Sequence, residues 1–173
     1  FASVNMEVVT FLVFGLSSVD VFFLRSFDQC QQGWREYEGR CYFFSTDTKA
    51  WAAANAFCLE QNSNLLSIQD IHERLWIRTQ ISTEIYWIGL NDIAAENIWE
   101  WSDGSTFIEY LSYWMPNQPD NWSENEHCGQ VVGSSFGQWN DENCNVGRKY
   151  ICKSKPKYIL VPLPQPILLH SVT

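Results

Sequence analysis

Basic residues are scarce in this sequence and are missing from a long central stretch. The 173-residue chain has 11 Lys and Arg against 20 Asp and Glu, which gives a formal net charge of -9. Nucleic-acid affinity comes largely from cationic side chains that release phosphate counterions, so DNA and RNA are excluded as expected partners. No Lys or Arg lies between Arg78 and Arg148, whereas Asp and Glu recur there. These carboxylates repel one another unless a cation bridges some of them, so the stretch predicts either a bound cation or a solvated acidic face.

Several functional motifs are also missing. The sequence has no glycine-rich phosphate loop, no nucleophile elbow and no His-Glu-x-x-His motif. The mostly apolar segment 8–24 is short for a membrane span and contains Thr10, Gly15 and Asp20. A signal peptide that starts at Met6 is one interpretation of this region, although Glu7 replaces the usual basic residues. An N-terminal strand or linker is the alternative.

Cysteine is present as an even set, without the Cys-x-x-Cys pairs of zinc ribbons and redox motifs. The members are Cys30, Cys41, Cys58, Cys128, Cys144 and Cys152. This set predicts three disulfides and an oxidising compartment, with structural zinc or free thiols as the alternatives. The spacing alone leaves the pairing open.

Periodicity predicts two helices followed by strands. Potential N-caps at 45–48 precede a helical pattern that ends near Cys58, and a second helix starts near Gln69 or Asp70 and buries Ile71, Leu75 and Ile77. Short β-type runs then cover residues 85–90, 98–101, 128–132 and 149–152. The hydrophobic content of 46% is enough for one packed core.

The segment 106–126 is rich in Trp, Pro, Asn and Asp and is longer than an ordinary connection, which marks it as the first place to look for a functional site. Prolines after Lys153 are typical of an extended tail. We therefore expect a signal-like or linker segment at 1–27, one domain at 28–154 and a Pro-rich tail at 155–173.

A series of landmarks resembles the C-type lectin-like domain in its long form. In chain order they begin with Cys-Gln-Gln-Gly-Trp (30–34), Cys-Tyr-Phe-Phe (41–44) and the alanine-rich helix ending at Cys58, and continue with Trp-Ile-Gly-Leu (87–90), Trp-Glu-Trp-Ser-Asp-Gly (99–104), Gln-Pro-Asp (118–120), Trp-Asn-Asp (139–141) and Tyr-Ile-Cys (150–152). The resemblance spans about residues 30 to 153. It implies an α+β fold in which two helices pack on small antiparallel sheets beside a long irregular loop. It also implies the disulfides Cys58–Cys152, Cys128–Cys144 and Cys30–Cys41.

The resemblance further implies a calcium site, although many family members bind no sugar. The positions that carry calcium ligands in sugar-binding members are here Gln118, Asp120, Glu126, Asn140 and Asp141. Calcium takes six to eight oxygen ligands, and two vicinal sugar hydroxyls can complete that shell. In the family the bond before Pro119 is cis. Loop-capping Asn and Asp residues are the alternative reading.

The order Gln-Pro-Asp resembles the galactose-selective branch of the family. The resemblance assigns sugar contacts to Gln118, Asp120, Glu126 and Asn140, and it places Trp122 where galactose binders stack a ring on the sugar. Packing of Trp122 under the loop is the alternative, and the glycine-rich stretch that positions this ring in the most selective members is missing. Six further tryptophans are expected in the core: Trp51, Trp87, Trp99, Trp101, Trp114 and Trp139.

Asp92 and Glu96 match ligand positions of an auxiliary calcium site in the family. Asn121 and His127 stand where acids would complete that site. The expected function is calcium-dependent binding of galactose-type glycans by an extracellular, non-enzymatic domain, either alone, in an oligomer or as a module of a larger receptor. The alternatives are a calcium-free protein-binding or ice-binding member of the fold and, more remotely, an enzyme using His127.

Overall fold

The computed structural model describes residues 6–10, 20–25, 30–155 and 158–162, which fall into two compact units. The smaller unit contains strands β1 (Met6–Thr10), β2 (Asp20–Arg25) and β11 (Tyr158–Pro162), paired antiparallel in the order β1-β2-β11. The rest of the signal-like segment and of the Pro-rich tail lies outside the described residues, and the boundaries at 27/28 and 154/155 stay predictions. No helix among the described residues is long and apolar enough to cross a membrane.

The larger unit, 30–155, has the α+β architecture that the sequence predicts. Its elements are β3 (Arg35–Tyr37), β4 (Arg40–Phe44), α1 (Trp51–Glu60), β5 (Ser63–Leu65), α2 (Ile71–Gln80), β6 (Ile85–Asn91), β7 (Glu100–Trp101), β8 (Cys128–Val132), β9 (Gln138–Glu142) and β10 (Lys149–Ser154). The main sheet has the order β3-β4-β10-β6-β8-β9, with β5 paired to β10 and β7 to β6.

Two expectations about this sheet were wrong. Strands β3 and β4 precede the first helix, so the chain does not run from helices to strands. The pairing of β6 with β10 is parallel, whereas only antiparallel pairs were expected. In the sheet, β10 lies on one side of β6 and β8 and β9 lie on the other, although β8 and β9 come between β6 and β10 in the chain. A local sequence pattern cannot show such a crossover.

Both helices differ in detail from the sequence prediction. Helix α1 begins after Ala50, which makes no side-chain cap bond. The expected cap Ser45 instead accepts the backbone N–H of Tyr150 at 2.9 Å, because Ser45 directly follows β4 and β4 is paired with β10. Helix α2 has the expected cap, Asp70, whose carboxylate accepts the N–H of Glu73 at 2.8 Å.

The buried face of α2 was wrongly predicted. Ile71 and Leu75 are each 47% exposed, whereas Ile77 is buried as expected. Glu73 occupies the inward side instead, where it pairs with Lys153 and accepts the hydroxyl of Tyr42 at 2.7 Å. The partner Lys153 comes from β10, far along the chain, so helical periodicity could not reveal this buried ion pair.

Three disulfides link the pairs that the resemblance implies. They are Cys30–Cys41, Cys58–Cys152 and Cys128–Cys144. No free cysteine remains in the described part of the chain. Cys58–Cys152 ties α1 to β10 within an apolar cluster, and Cys128–Cys144 joins the start of β8 to the segment after β9.

Candidate functional site

The long segment 106–126 is attached to strand β9 through residues 113–115. The N–H of Trp139 donates to the carbonyl of Tyr113 at 2.7 Å, and the N–H of Met115 donates to the carbonyl of Trp139 at 2.8 Å. The rings of Trp114 and Trp139 meet edge to face with centroids 5.8 Å apart. After this attachment comes the Gln118–Pro119 peptide bond, which is cis as the resemblance implies.

Asp141 anchors the tip of this segment. Side chains of β9 alternate between faces, and Asp141 shares the buried face with Trp139. Its Oδ1 accepts the N–H of Asp120 at 3.2 Å and its Oδ2 accepts the N–H of Asn121 at 2.8 Å. A carboxylate from the sheet therefore accepts two backbone N–H groups of the irregular segment. In a helix or a strand, backbone carbonyls would accept such groups.

Glu126 closes the same turn from the other end. Its carboxylate accepts the N–H of Trp122 at 3.0 Å, while its own N–H donates to Asn121 Oδ1 at 2.9 Å. These bonds hold residues 121–126 as a compact turn, in which Asn121 and Ser123 have positive φ angles of 44° and 59°.

Asp120, Glu126 and Asp141 converge at one point, with a ligand oxygen of each within 4.8 Å of the others. Burial, together with the charges of Asp141, Glu142 and Asp120, raises the pKa of Glu126 to about 7, although the hydrogen bond from the backbone N–H of Trp122 opposes this shift. Burial also raises the pKa of Asp141, although the N–H groups of Asn121 and Asp120 oppose this shift. The carboxylates therefore resist shared ionisation in the absence of a cation.

The two amide residues of the expected ligand set lie at the edges of this cluster. Gln118 Oε1 accepts the N–H of Asp120 at 3.1 Å, across the cis proline. Asn140 precedes Asp141 on β9, and its side-chain amide donates to the backbone carbonyl of Asp141. Both amides therefore contact the backbone of a residue in the carboxylate cluster.

Trp122 projects from the turn and is 71% exposed. The alternative in which this ring packs under the loop was wrong. The six tryptophans expected in the core behave largely as predicted, because Trp51, Trp87, Trp101 and Trp139 are buried and Trp99 and Trp114 pack half-buried against the core. The predicted strand at 98–101 shrinks to Glu100–Trp101, because residues 92–98 form turns.

A second cluster joins the predicted pair Asp92 and Glu96 to His127. The imidazole Nδ1 lies 3.1 Å from Asp92 Oδ1 and 3.3 Å from Glu96 Oε2. Asp92 is only 1% exposed. The structure does not place Asn121 in this cluster, since its backbone and side chain bond Asp141 and Glu126.

A model of the family described as the lectin C-type domain matches residues 47–154 of the chain. The chain belongs to the C-type lectin domain family. It is 36% identical over 124 residues to human C-type lectin domain family 4 member K, a match that covers 70% of this chain and 38% of that protein. The chain therefore spans well under half the length of this relative.

Solved C-type lectin structures agree with the fold. The mouse scavenger receptor C-type lectin carbohydrate-recognition domain matches with a TM-score of 0.67 and 32% identity, covering 74% of this chain and 99% of that chain. A calcium-independent type II antifreeze protein matches with a TM-score of 0.66 and 28% identity, covering 74% of this chain and 95% of that chain. The fold is thus shared by proteins with different binding properties.

The C-type lectin domain described here offers a suitable donor set for calcium. Calcium prefers carboxylate and amide oxygens, and the Asp120, Glu126 and Asp141 cluster is flanked by the amides of Gln118 and Asn140. Burial is the main reason why the pKa values of Glu126 and Asp141 are raised, neighbouring carboxylates add to both shifts, and a divalent cation favours the ionised forms.

The roles of two asparagines in this C-type lectin domain were not predicted from the sequence. Asn121 bonds both Asp141 and Glu126, and Asn97 bonds both Asp92 and Glu96. Each asparagine has a positive φ angle, of 44° and 64° respectively. Asn in a turn beside acidic residues is the only sequence signal for such roles, and it is a weak one.

Proposed function

We propose that this domain binds carbohydrate in a calcium-dependent manner and prefers galactose-type sugars. The observation that carries the proposal is the convergence of Asp120, Glu126 and Asp141 within 4.8 Å of one another, directly beside the exposed Trp122. Calcium would supply a charge centre that sugar hydroxyls can coordinate, with Gln118, Asp120, Glu126, Asn140 and Asp141 as its protein ligands.

The chain's own residues divide the work of sugar binding. The carboxylates accept hydrogen bonds from sugar hydroxyls, whereas the amides of Gln118 and Asn140 can donate them. Trp122 offers an apolar ring face to the carbon–hydrogen side of a pyranose. The exposed position of this ring supports a sugar-binding role, because burying it in the complex removes apolar area from water.

The carbohydrate proposal is tested by retention on immobilised galactose and on immobilised mannose, first with calcium and then with a chelator. We expect calcium-dependent retention on galactose and release by chelator. As a control, Glu109→Gln removes an exposed acid outside the cluster, and this variant should be retained as the unaltered chain is. Retention that survives the chelator would contradict a calcium-dependent mechanism, and no retention on either sugar would favour the protein-binding or ice-binding alternative.

Selectivity is tested by the double substitution Gln118→Glu and Asp120→Asn. The summed charge and the oxygen donors are kept, so we expect calcium affinity to be retained while the preference shifts toward mannose. The physical reason is that exchanging the acid and the amide reverses the donor and acceptor order around the ion. A double variant that still prefers galactose would show that this order does not select the sugar.

Recognition rather than catalysis is the role we propose, with glycans or glycoproteins bearing terminal galactose-type sugars as partners. The three disulfides support an extracellular setting, whether the protein is secreted or is part of a receptor ectodomain. One related structure is described as the trimeric Kupffer cell C-type lectin receptor Clec4f, which supports testing this chain for oligomers by light scattering.

A further inference from the structure

Asp92, Glu96 and His127 form a compact group of ligand-type side chains outside the proposed calcium cluster. Each offers one ligand atom, and the three atoms lie within 4.8 Å of one another. We propose that this group binds a divalent transition-metal ion of the zinc type. The proposal stands apart from sugar recognition and uses no residue of the Asp120, Glu126 and Asp141 cluster.

Two of the three ligands are positioned by the core sheet. Strands β6 and β8 pair antiparallel with Asn91 opposite Cys128, so Asp92 and His127 are the next residues beyond that pair. The N–H of Asp92 donates to the carbonyl of His127 at 3.2 Å. Ligands that are fixed by paired strands need little reorganisation on binding an ion.

Asn97 orients both carboxylates by hydrogen bonds to the oxygen of each that does not contact His127. Its backbone N–H donates to Asp92 Oδ2 at 2.8 Å, and its side-chain amide donates to Glu96 Oε1 at 3.1 Å. One oxygen of each carboxylate is thus held by Asn97, which leaves Asp92 Oδ1 and Glu96 Oε2 directed at His127 Nδ1. Hydrogen bonds from outer residues commonly orient the ligands of metal sites in this way.

The distances and the donor types favour zinc over calcium. Nδ1 lies 3.1 Å and 3.3 Å from the two carboxylate oxygens. Tetrahedral zinc with bonds of about 2.0–2.1 Å separates neighbouring ligand atoms by about 3.3–3.4 Å. An imidazole nitrogen suits zinc, copper or nickel, whereas calcium and magnesium prefer oxygen. With Nδ1 as the metal ligand, the ring proton resides on Nε2.

Charge and exposure are also compatible with an ion at this position. Two carboxylates and a neutral imidazole balance a divalent cation, and the surrounding stretch 79–147 contains no Lys or Arg to do so. The side chain of Asp92 is 1% exposed, whereas those of His127 and Glu96 are 33% and 43% exposed. The cluster therefore has a buried floor and an open side through which an ion and a water ligand can enter.

The test titrates the full chain with Co²⁺ and then Zn²⁺ in buffer without calcium or sugar. Visible absorption reports tetrahedral Co²⁺ coordination, and native mass spectrometry counts bound zinc. We expect one ion per chain, with affinity reduced about tenfold or more by His127→Gln and by Asn97→Ala. His72→Gln, which changes an exposed histidine of α2, should bind zinc as the unaltered chain does.

Two results would overturn the proposal. The first is unchanged Co²⁺ absorption in His127→Gln, which would place the ion elsewhere. The second is absence of metal binding by the unaltered chain together with a lower melting temperature in His127→Gln, which would make the imidazole only a hydrogen-bond donor to the two carboxylates. Because the readout uses neither calcium nor sugar, its failure is distinguishable from failure of the lectin proposal.

Discussion

The region around α1 and the segment 106–126 satisfy their backbone polar groups in different ways. We refer to α1, β5 and β10 with the disulfide Cys58–Cys152 as the base. In the base, regular helix and strand hydrogen bonds are covered by an apolar cluster that includes Trp51, Leu65 and Tyr150. In segment 106–126, the carboxylates of Asp141 and Glu126 accept N–H groups of an irregular turn.

This difference separates what stabilises the fold from what shapes the site. The groups that hold the turn are the same carboxylates that would bind the ion, so order in the turn and ion affinity are coupled. The base has no such dependence, because its apolar packing and its disulfide contain no site residue.

The largest expected effect comes from removing Cys58–Cys152 by double substitution to Ala. The disulfide closes a loop of 94 residues, which corresponds to about 4–5 kcal/mol of stability in the chain-entropy model. Urea unfolding measures the loss, and removing Cys30–Cys41, with a separation of 11, should cost less. Equal losses from the two disulfides would show that loop length does not govern their contributions.

Asp141→Asn should damage the turn while sparing the base. The substitution removes a buried charge that accepts two backbone N–H groups, so we expect loss of measurable calcium binding and of calcium-dependent sugar retention. Hydrogen exchange should accelerate at Asp120 and Asn121 and stay unchanged in α1 and β10. Faster exchange throughout the base would contradict the independence of the two regions, and Glu109→Gln again provides the control.

Trp122→Ala should separate the sugar from the ion within the turn. The ring is 71% exposed, and we expect galactose affinity to fall by roughly 1–3 kcal/mol with calcium affinity unchanged. Calorimetry measures the sugar, and a calcium titration followed by intrinsic fluorescence measures the ion. A parallel loss of calcium affinity would show that the ring supports the turn itself.

The smallest expected effect is a pH dependence of calcium stabilisation. Burial and neighbouring carboxylates raise the pKa of Glu126 from 4.5 to about 7. In chelator, the folded protein therefore binds more protons than the unfolded chain between about pH 4.5 and 7, and this contribution to the free energy of unfolding falls as pH rises through that window. Calcium favours the ionised form, so its shift in melting temperature should be larger at pH 8 than at pH 5.

Scanning calorimetry with calcium and with chelator at both pH values measures this shift. Glu126→Gln removes the titrating group and should flatten the dependence, although Asp141 retains a smaller one because burial raises its pKa as well. A shift that is larger at pH 5 in the unaltered chain would contradict the sign of the prediction.

Much of the fold was predictable because it follows local rules or a recognisable order of landmarks. The position of α1 follows from helical spacing up to Cys58, and the cap Asp70 follows from residue type. Ile71 and Leu75 were misplaced because hydrophobic periodicity assumes that apolar residues face inward. Glu73 took that face through its ion pair with Lys153, a residue 80 positions away in sequence.

By itself, the sequence determined the fold class, the three disulfides and the acidic, loop-borne candidate site, because composition, cysteine number and motif order are properties of the chain. Only the tertiary structure decided that Trp122 faces solvent and that Asp141 fastens the turn. It also decided that His127 stands between Asp92 and Glu96. The physical reason is that these arrangements depend on the pairing of β6, β8 and β9, and strand pairing brings together groups that no local pattern relates.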